Sequence, residues 1–300
     1  MYKNFDEVEK YIIGNGIKKR IVLCGAHDDA ALDAVVNAKR KGVATGVLIG
    51  DQEKICALLD KMGEPATDYE IVHETREKRS AQMAVQFVRD GKADIPMKGL
   101  LQSTSYLLPI MDPVNGLLPE GGILSETTAF YYPGRDCMMF ATDCAINVAP
   151  TLEEKVKLIW NAVKLAKAFG FGKVKVAAIS FLEKVDTEVQ STVDADALAH
   201  MDWGEDVIVA GPFALDNALD AEAAKHKGIV SEVAGNADIL LMPEMCAGNV
   251  LHKAIHFLGH LPSAGVMCGT VSPVVFTSRT DSPDTKYYSI LSAILQSLLP

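Results

Sequence analysis

The stretch RIVLCGAHDDAALDAVVNAKRKGVATGVLIG, residues 20–50, decides the fold class. Its two ends, RIVLCGA (20–26) and ATGVLIG (44–50), are short apolar runs rich in β-branched residues. Between them DDAALDAVVNAKRKG (28–42) places apolar residues at steps of three and four. That is strand, helix, strand. The rhythm returns in YEIVHE (69–74), KVKVAAIS (173–180), DVIVAGP (206–212) and ADILLMP (237–243), and in the long helical pattern EEKVKLIWNAVKLAKAFG (153–170). Strands alternating with helices imply mostly parallel sheet with helices on both faces, an α/β protein. FYYPGRDCMMFATD (130–143) departs from it, because two strand-like runs flank Pro133-Gly134 as in a hairpin, so a mixed sheet is expected.

At 300 residues the chain suits two domains. We expect the first to take 1–136 and 268–300, and the second 137–267. A composition of 49% hydrophobic and 23% charged residues is that of an ordinary globular protein, with no apolar run of membrane-spanning length. MYKNFDEVEK lacks a signal peptide's basic start and apolar run, so a cytoplasmic location is expected. The net charge of −10 argues against general nucleic-acid binding and requires a local positive site for any anionic substrate. Six cysteines without a C-x-x-C pair point to neither a disulfide framework nor a zinc cluster.

Four strand-to-helix crossovers carry the candidate chemistry. In TSRTDSPDTK (277–286) an arginine stands among hydroxyls and carboxylates, and Ser282-Pro283 fits an N-cap followed by proline at the first helical position. Free N–H groups and a guanidinium there suit an anion, although Arg279 could equally pair with Asp281 or Asp284 at the surface. ADIPMKGLLQSTSYL (93–107) offers Lys98, Gly99 and Ser103 without a Walker A pattern. TDCAINVAPT (142–151) offers Asp143 and Asn147, and PEMCAGNVLHKAI (243–255) offers Gly248 and Asn249. All four fall beyond the carboxyl ends of strands, where ligands gather in open α/β sheets. Arg135, at the hairpin turn, reads as a surface residue. His252, His256 and His260 recur every four residues, but no carboxylate accompanies them and we read a structural or solvent-facing row along one helix face rather than a metal site. No G-x-G-x-x-G follows a strand and no G-x-S-x-G elbow occurs.

Taken in order, ADIPMKGLLQST, MMFATDCAINVAPTLEEK, GPFALDNALDAEAAKHKG, EVAGNADILLMPEMCAGNVLHKAI and PVVFTSRTDSPDTK resemble the phosphate acetyl/butyryltransferases, above all the butyryl branch, over roughly residues 20–295. The resemblance implies a two-domain fold like that of the isocitrate and isopropylmalate dehydrogenases, with the active site in the cleft between domains. It implies reversible transfer of a short acyl group, butyryl favoured, between coenzyme A and inorganic phosphate, with no permanently bound cofactor and no metal, in a homo-oligomer. Ser278 and Arg279 match the family's active-site pair. The acetyl branch's acid falls on Thr285 by ungapped count, so Asp284 is the expected base, with Asp281 behind it. The expected chemistry is direct attack of the CoA sulfur on the acyl phosphate carbonyl, with Arg279 neutralising the growing charge. Lys98, Gly99, Ser103, Asn147, Gly248 and Asn249 are expected to bind substrate. The alternatives are acetyl transfer, a metal-dependent NAD(P)-linked decarboxylating dehydrogenase, and a silent CoA-binding scaffold.

Overall fold

The computed structural model describes residues 1–299. The chain forms two α/β units, one from residues 5–124 and 264 onward, the other from Met1–Asn4 and Ser125–Ser263. In the first unit α1 (Phe5–Gly14) precedes β1 (Lys19–Cys24), α2 (Asp29–Arg40), β2 (Ala44–Gly50), α3 (Gln52–Lys61), β3 (Glu70–His73), α4 (Glu77–Arg89), β4 (Ile95–Lys98) and α5 (Ser103–Ile110). The four strands are parallel in the order β3-β2-β1-β4. Ile21, Val22, Leu23 and Cys24 are wholly buried, as expected of a parallel strand covered on both faces. From β1 the chain winds first to β2 and β3 and then crosses to β4 on the opposite side. The carboxyl ends of β1 and β4 therefore flank a topological switch point.

The second unit runs β5 (Ser125–Tyr132), β6 (Cys137–Thr142), α6 (Leu152–Ala168), β7 (Val174–Ile179), α7 (Gln190–Ala199), β8 (Val207–Phe213), α8 (Leu215–Leu219), α9 (Ala221–His226), β9 (Ile239–Leu241) and α10 (Met245–Lys253). Its strands follow the order β5-β6-β9-β7-β8, antiparallel between β5 and β6 and parallel elsewhere. The expected hairpin is present, with Tyr132 opposite Cys137. It also displaces the expected division at 136/137, because a cut there would separate two hydrogen-bonded strands, and the units instead divide at 124/125 and 263/264. Thr151 starts α6 with a capping box: its hydroxyl accepts from Glu154 N at 3.2 Å, and the Glu154 carboxylate accepts from Thr151 N at 2.8 Å.

β10 (Ser263–Cys268) begins on the last residue of the second unit and leads the chain back. Val274 then pairs with Met267 and Val275 lies alongside β4, where Val275 N donates to Pro96 O (2.9 Å) and Lys98 N to Val275 O (3.1 Å). This places residues 276–282 beyond the carboxyl end of β4, ahead of α11 (Pro283–Gln296). No helix among the described residues is long and apolar enough to cross a membrane.

Candidate active site

The turn after Val275 is built by its own polar residues. Ser282 caps α11, its hydroxyl accepting from Thr285 N at 3.1 Å, and Pro283 takes the first helical position. Buried Asp281 accepts the Ser278 N–H on one oxygen at 2.7 Å, and its other oxygen is buried with no hydrogen bond. Lys286, buried at 1% exposure, donates to Ser278 O at 2.6 Å and to Thr277 Oγ1 at 3.3 Å. Both peptide groups of Ser278 are thus held from below, while Arg279 projects outward and exposed. Among the described residues Arg279 forms no ion pair with Asp281 or Asp284, so the local surface link open from sequence is not formed.

Lys98, at the end of β4, is buried at 4% exposure, with its ammonium 3.5 Å from Gly99 O and 5.7 Å from the centre of the Phe276 ring. Burial pushes its pKa below the ordinary lysine value, and the neighbouring charges of Lys286 and Arg279 push it further, against an opposing pull from Asp28. Lys286 is depressed first by burial, with Asp28 and Asp281 pulling it back up. Three cations thus share one corner of the switch point. Charge of one sign gathered over a partly dry floor attracts an anion. Asp28 itself is committed to capping α2, where it accepts from Ala31 N at 3.0 Å.

Gly99 packs backbone against backbone: its N–H donates to Cys24 O at 2.8 Å, and a Cβ on it would lie 2.4 Å from Gly25 O. Ser103 and Asp284 are exposed in the first turns of α5 and α11. The charge of Asp284 is felt one turn on, where it helps raise the Tyr288 pKa after burial.

The remaining candidates sit together in the second unit. Asp143, after β6, is buried and accepts from Ala145 N (2.8 Å), Ile146 N (3.0 Å), Asn147 N (3.2 Å) and the Asn147 side-chain amide. Burial raises its pKa and these donors oppose the rise. Asn147 is thereby engaged with Asp143, whereas Asn249 is exposed and donates to Cys144 O at 3.2 Å. A Cβ on Gly248 would lie 2.1 Å from Asp143 O, closer than any side chain tolerates, so α10 approaches the loop only because this residue is glycine. Gly248→Ala is expected to cost at least about 1–3 kcal/mol through forced backbone movement, read as a lower urea midpoint.

Several sequence readings change. Arg135 is not simply exposed, since its guanidinium donates to Ala237 O and lies 3.8 Å from Asp238. The row of three histidines is broken by a π-helical turn at Ala254–Leu258. His252 faces Thr128 Oγ1 at 2.8 Å, and His260 has a φ of +48°. Lys286 carries no motif signal in the sequence. Among the described residues no three His, Cys, Asp or Glu side chains are grouped to hold a metal ion.

Fold and site together define an α/β protein whose first sheet ends in a cationic, glycine-tightened crossover suited to phosphoanions. The chain belongs to the phosphate acetyl/butaryl transferase family, whose model matches residues 55–294. It is 40% identical over 298 residues to the phosphate butyryltransferase of Clostridium acetobutylicum, covering 98% of each chain. It is 35% identical over 292 residues to the phosphate acetyltransferase of Thermotoga maritima, covering 96% of this chain and 99% of that one. Its fold matches the crystal structure of a branched-chain phosphotransacylase from Enterococcus faecalis with a TM-score of 0.83 at 29% identity, over 93% of this chain and 99% of the other. As a family member it is an enzyme, a phosphate acyltransferase carrying acyl groups reversibly between coenzyme A and phosphate.

Proposed function

We propose that the preferred acyl group is butyryl and that Ser278, Arg279 and Asp284 carry the transfer. The supporting observation is the cation cluster of Lys98, Arg279 and Lys286 around the Ser278 turn. In the direction of CoA acylation, the CoA sulfur attacks the acyl phosphate carbonyl, the C–O bond to phosphate breaks, and phosphate leaves with its electron pair. The thiol proton passes to a carboxylate. A thiol with a pKa of about 8.5 is mostly protonated at neutral pH, so such a base contributes about 10²- to 10⁴-fold. Asp284 suits this role because it is exposed, whereas Asp281 is committed to the Ser278 N–H with its second oxygen buried. Arg279 neutralises charge on the phosphate and carbonyl oxygens, and the Ser278 hydroxyl adds a donor beside it.

On this reading Lys98, Gly99 and Ser103 hold phosphate, Gly248 and Asn249 contact substrate, and Asn147 braces Asp143. The enzyme keeps no resident cofactor, because the mixed anhydride is already an activated leaving system. The reading extends to a cytoplasmic homo-oligomer with the two-domain architecture of the isocitrate and isopropylmalate dehydrogenases.

The test is release of free CoA thiol from acetyl-, butyryl- and isobutyryl-CoA, with and without inorganic phosphate, in EDTA. We expect phosphate-dependent, EDTA-resistant release. Because one methylene in a fitted pocket is worth about 1–3 kcal/mol, kcat/KM for butyryl-CoA should exceed that for acetyl-CoA at least about tenfold. Equal values would sink the butyryl preference, and phosphate-independent release would sink the reaction itself.

A further inference from the structure

Lys286 is the least expected charge in the molecule. It lies in the first turn of α11, a helix on which Thr285, Tyr287 and every residue from Ser289 to Gln296 are buried, and it is itself buried. An ammonium taken from water is costly unless its donors are used. Its two hydrogen bonds go to one place, the Ser278 carbonyl and the Thr277 hydroxyl. On the other side of the same residue, Asp281 accepts the Ser278 N–H. The peptides before and after Ser278 are therefore clamped by opposite charges, each from a buried side chain. The peptide after Ser278 is the one that launches Arg279.

We propose that Lys286 is a positioning residue for acyl transfer: with Asp281 it fixes the Ser278 peptides, and so sets the direction in which the Ser278 hydroxyl and the Arg279 guanidinium meet the reacting anion. This inference rests on the proposed roles of Ser278 and Arg279. Lys286 makes no contact with substrate in this scheme. Its energetic cost is repaid through geometry, since a preorganised donor acts on a transition state only when it is already aimed. Its location explains why a lysine is needed. Only a long, unbranched side chain rooted on α11 reaches the Ser278 carbonyl without opening the packed helix.

The experiment compares Lys286→Met, Asp281→Ala, Arg279→Ala and the double variant Lys286→Met/Arg279→Ala, with folding checked by circular dichroism and thermal midpoint. Methionine preserves the buried stem and removes the donor. We expect Lys286→Met to lower kcat about 10- to 100-fold while the KM values for butyryl-CoA and phosphate stay within about twofold. Removing Arg279 from that background should then cost at least about tenfold less than removing it from wild type, because both changes lose the same aimed donor. A folded Lys286→Met with wild-type kcat overturns the proposal. A rise in the phosphate KM at unchanged kcat also overturns it, by making Lys286 a phosphate ligand. Should Lys286→Met not fold, Asp281→Ala frees the same residue from the other side, and a folded Asp281→Ala with wild-type kcat overturns the clamp. Full activity in Arg279→Ala would instead sink the reading of the site. Loss in Arg279→Ala beside an intact Lys286→Met sinks this inference alone.

Discussion

Arg279→Ala is expected to lower kcat about 10²- to 10³-fold while leaving the thermal midpoint nearly unchanged. The size follows from the loss of one donor aimed at charge that develops in the transition state, commonly about 3–4 kcal/mol. The separation of activity from stability follows from the structure. Arg279 is exposed and pairs with neither nearby aspartate, so its removal leaves no buried charge behind, and surface substitutions of that kind stay within about 0.5 kcal/mol. Arg279→Lys should recover little, because an ammonium restores the charge without the planar fork that engages two oxygens. Steady-state kinetics of CoA release beside a thermal scan check both halves. An Arg279→Ala enzyme with full kcat would make the arginine a solvated surface residue.

The parallel strands were legible in residues 20–50 because buried parallel strands are unbroken apolar runs, and the helices between them keep their period. The hairpin at Pro133-Gly134 was equally plain. What the hairpin did to the unit boundary was not, because sequence shows that two runs turn back on each other but not which sheet they join. The histidine row failed for a different reason. Spacing by four presumes a regular α-helix, but a π-helical turn beyond Lys253 changes the pitch at His256 and the helix ends before His260. Lys286 carries no motif of its own, because a lysine at a helix start is ordinarily solvated. The signal lay further along: KYYSILSAILQSLL has no charged residue after Lys286, and a helix apolar on every side is buried on every side. Its serines confirm this, as Ser289 and Ser292 turn back to Thr285 O at 3.0 Å and Tyr288 O at 2.8 Å. The positions of Ser278 and Arg279 could be read from the capped start of α11. The groups that aim them could not, because Asp281 and Lys286 act through the backbone.

The second large effect lies away from the chemistry. Lys155 on α6 and Asp194 on α7 form an ion pair at 2.5 Å with side chains 6% and 9% exposed, and Gln190 supplies the carboxylate with a further donor at 2.7 Å. Lys155→Met alone should therefore destabilise the second unit by about 3–5 kcal/mol, since it strands a buried carboxylate rather than merely deleting an attraction. Lys155→Met/Asp194→Leu should return most of that loss, because two apolar side chains carry no desolvation penalty. The measurement is unusually clean. The chain holds two tryptophans, Trp160 and Trp203, with ring centres 5.4 Å apart and both in the second unit. Tryptophan fluorescence during urea unfolding thus reports that unit alone, so a two-unit chain that unfolds in more than one step still yields a usable midpoint. A double variant no more stable than Lys155→Met would mean that the site requires charge. Equal stability of Lys155→Met and wild type would mean that water reaches Asp194 once the lysine is gone.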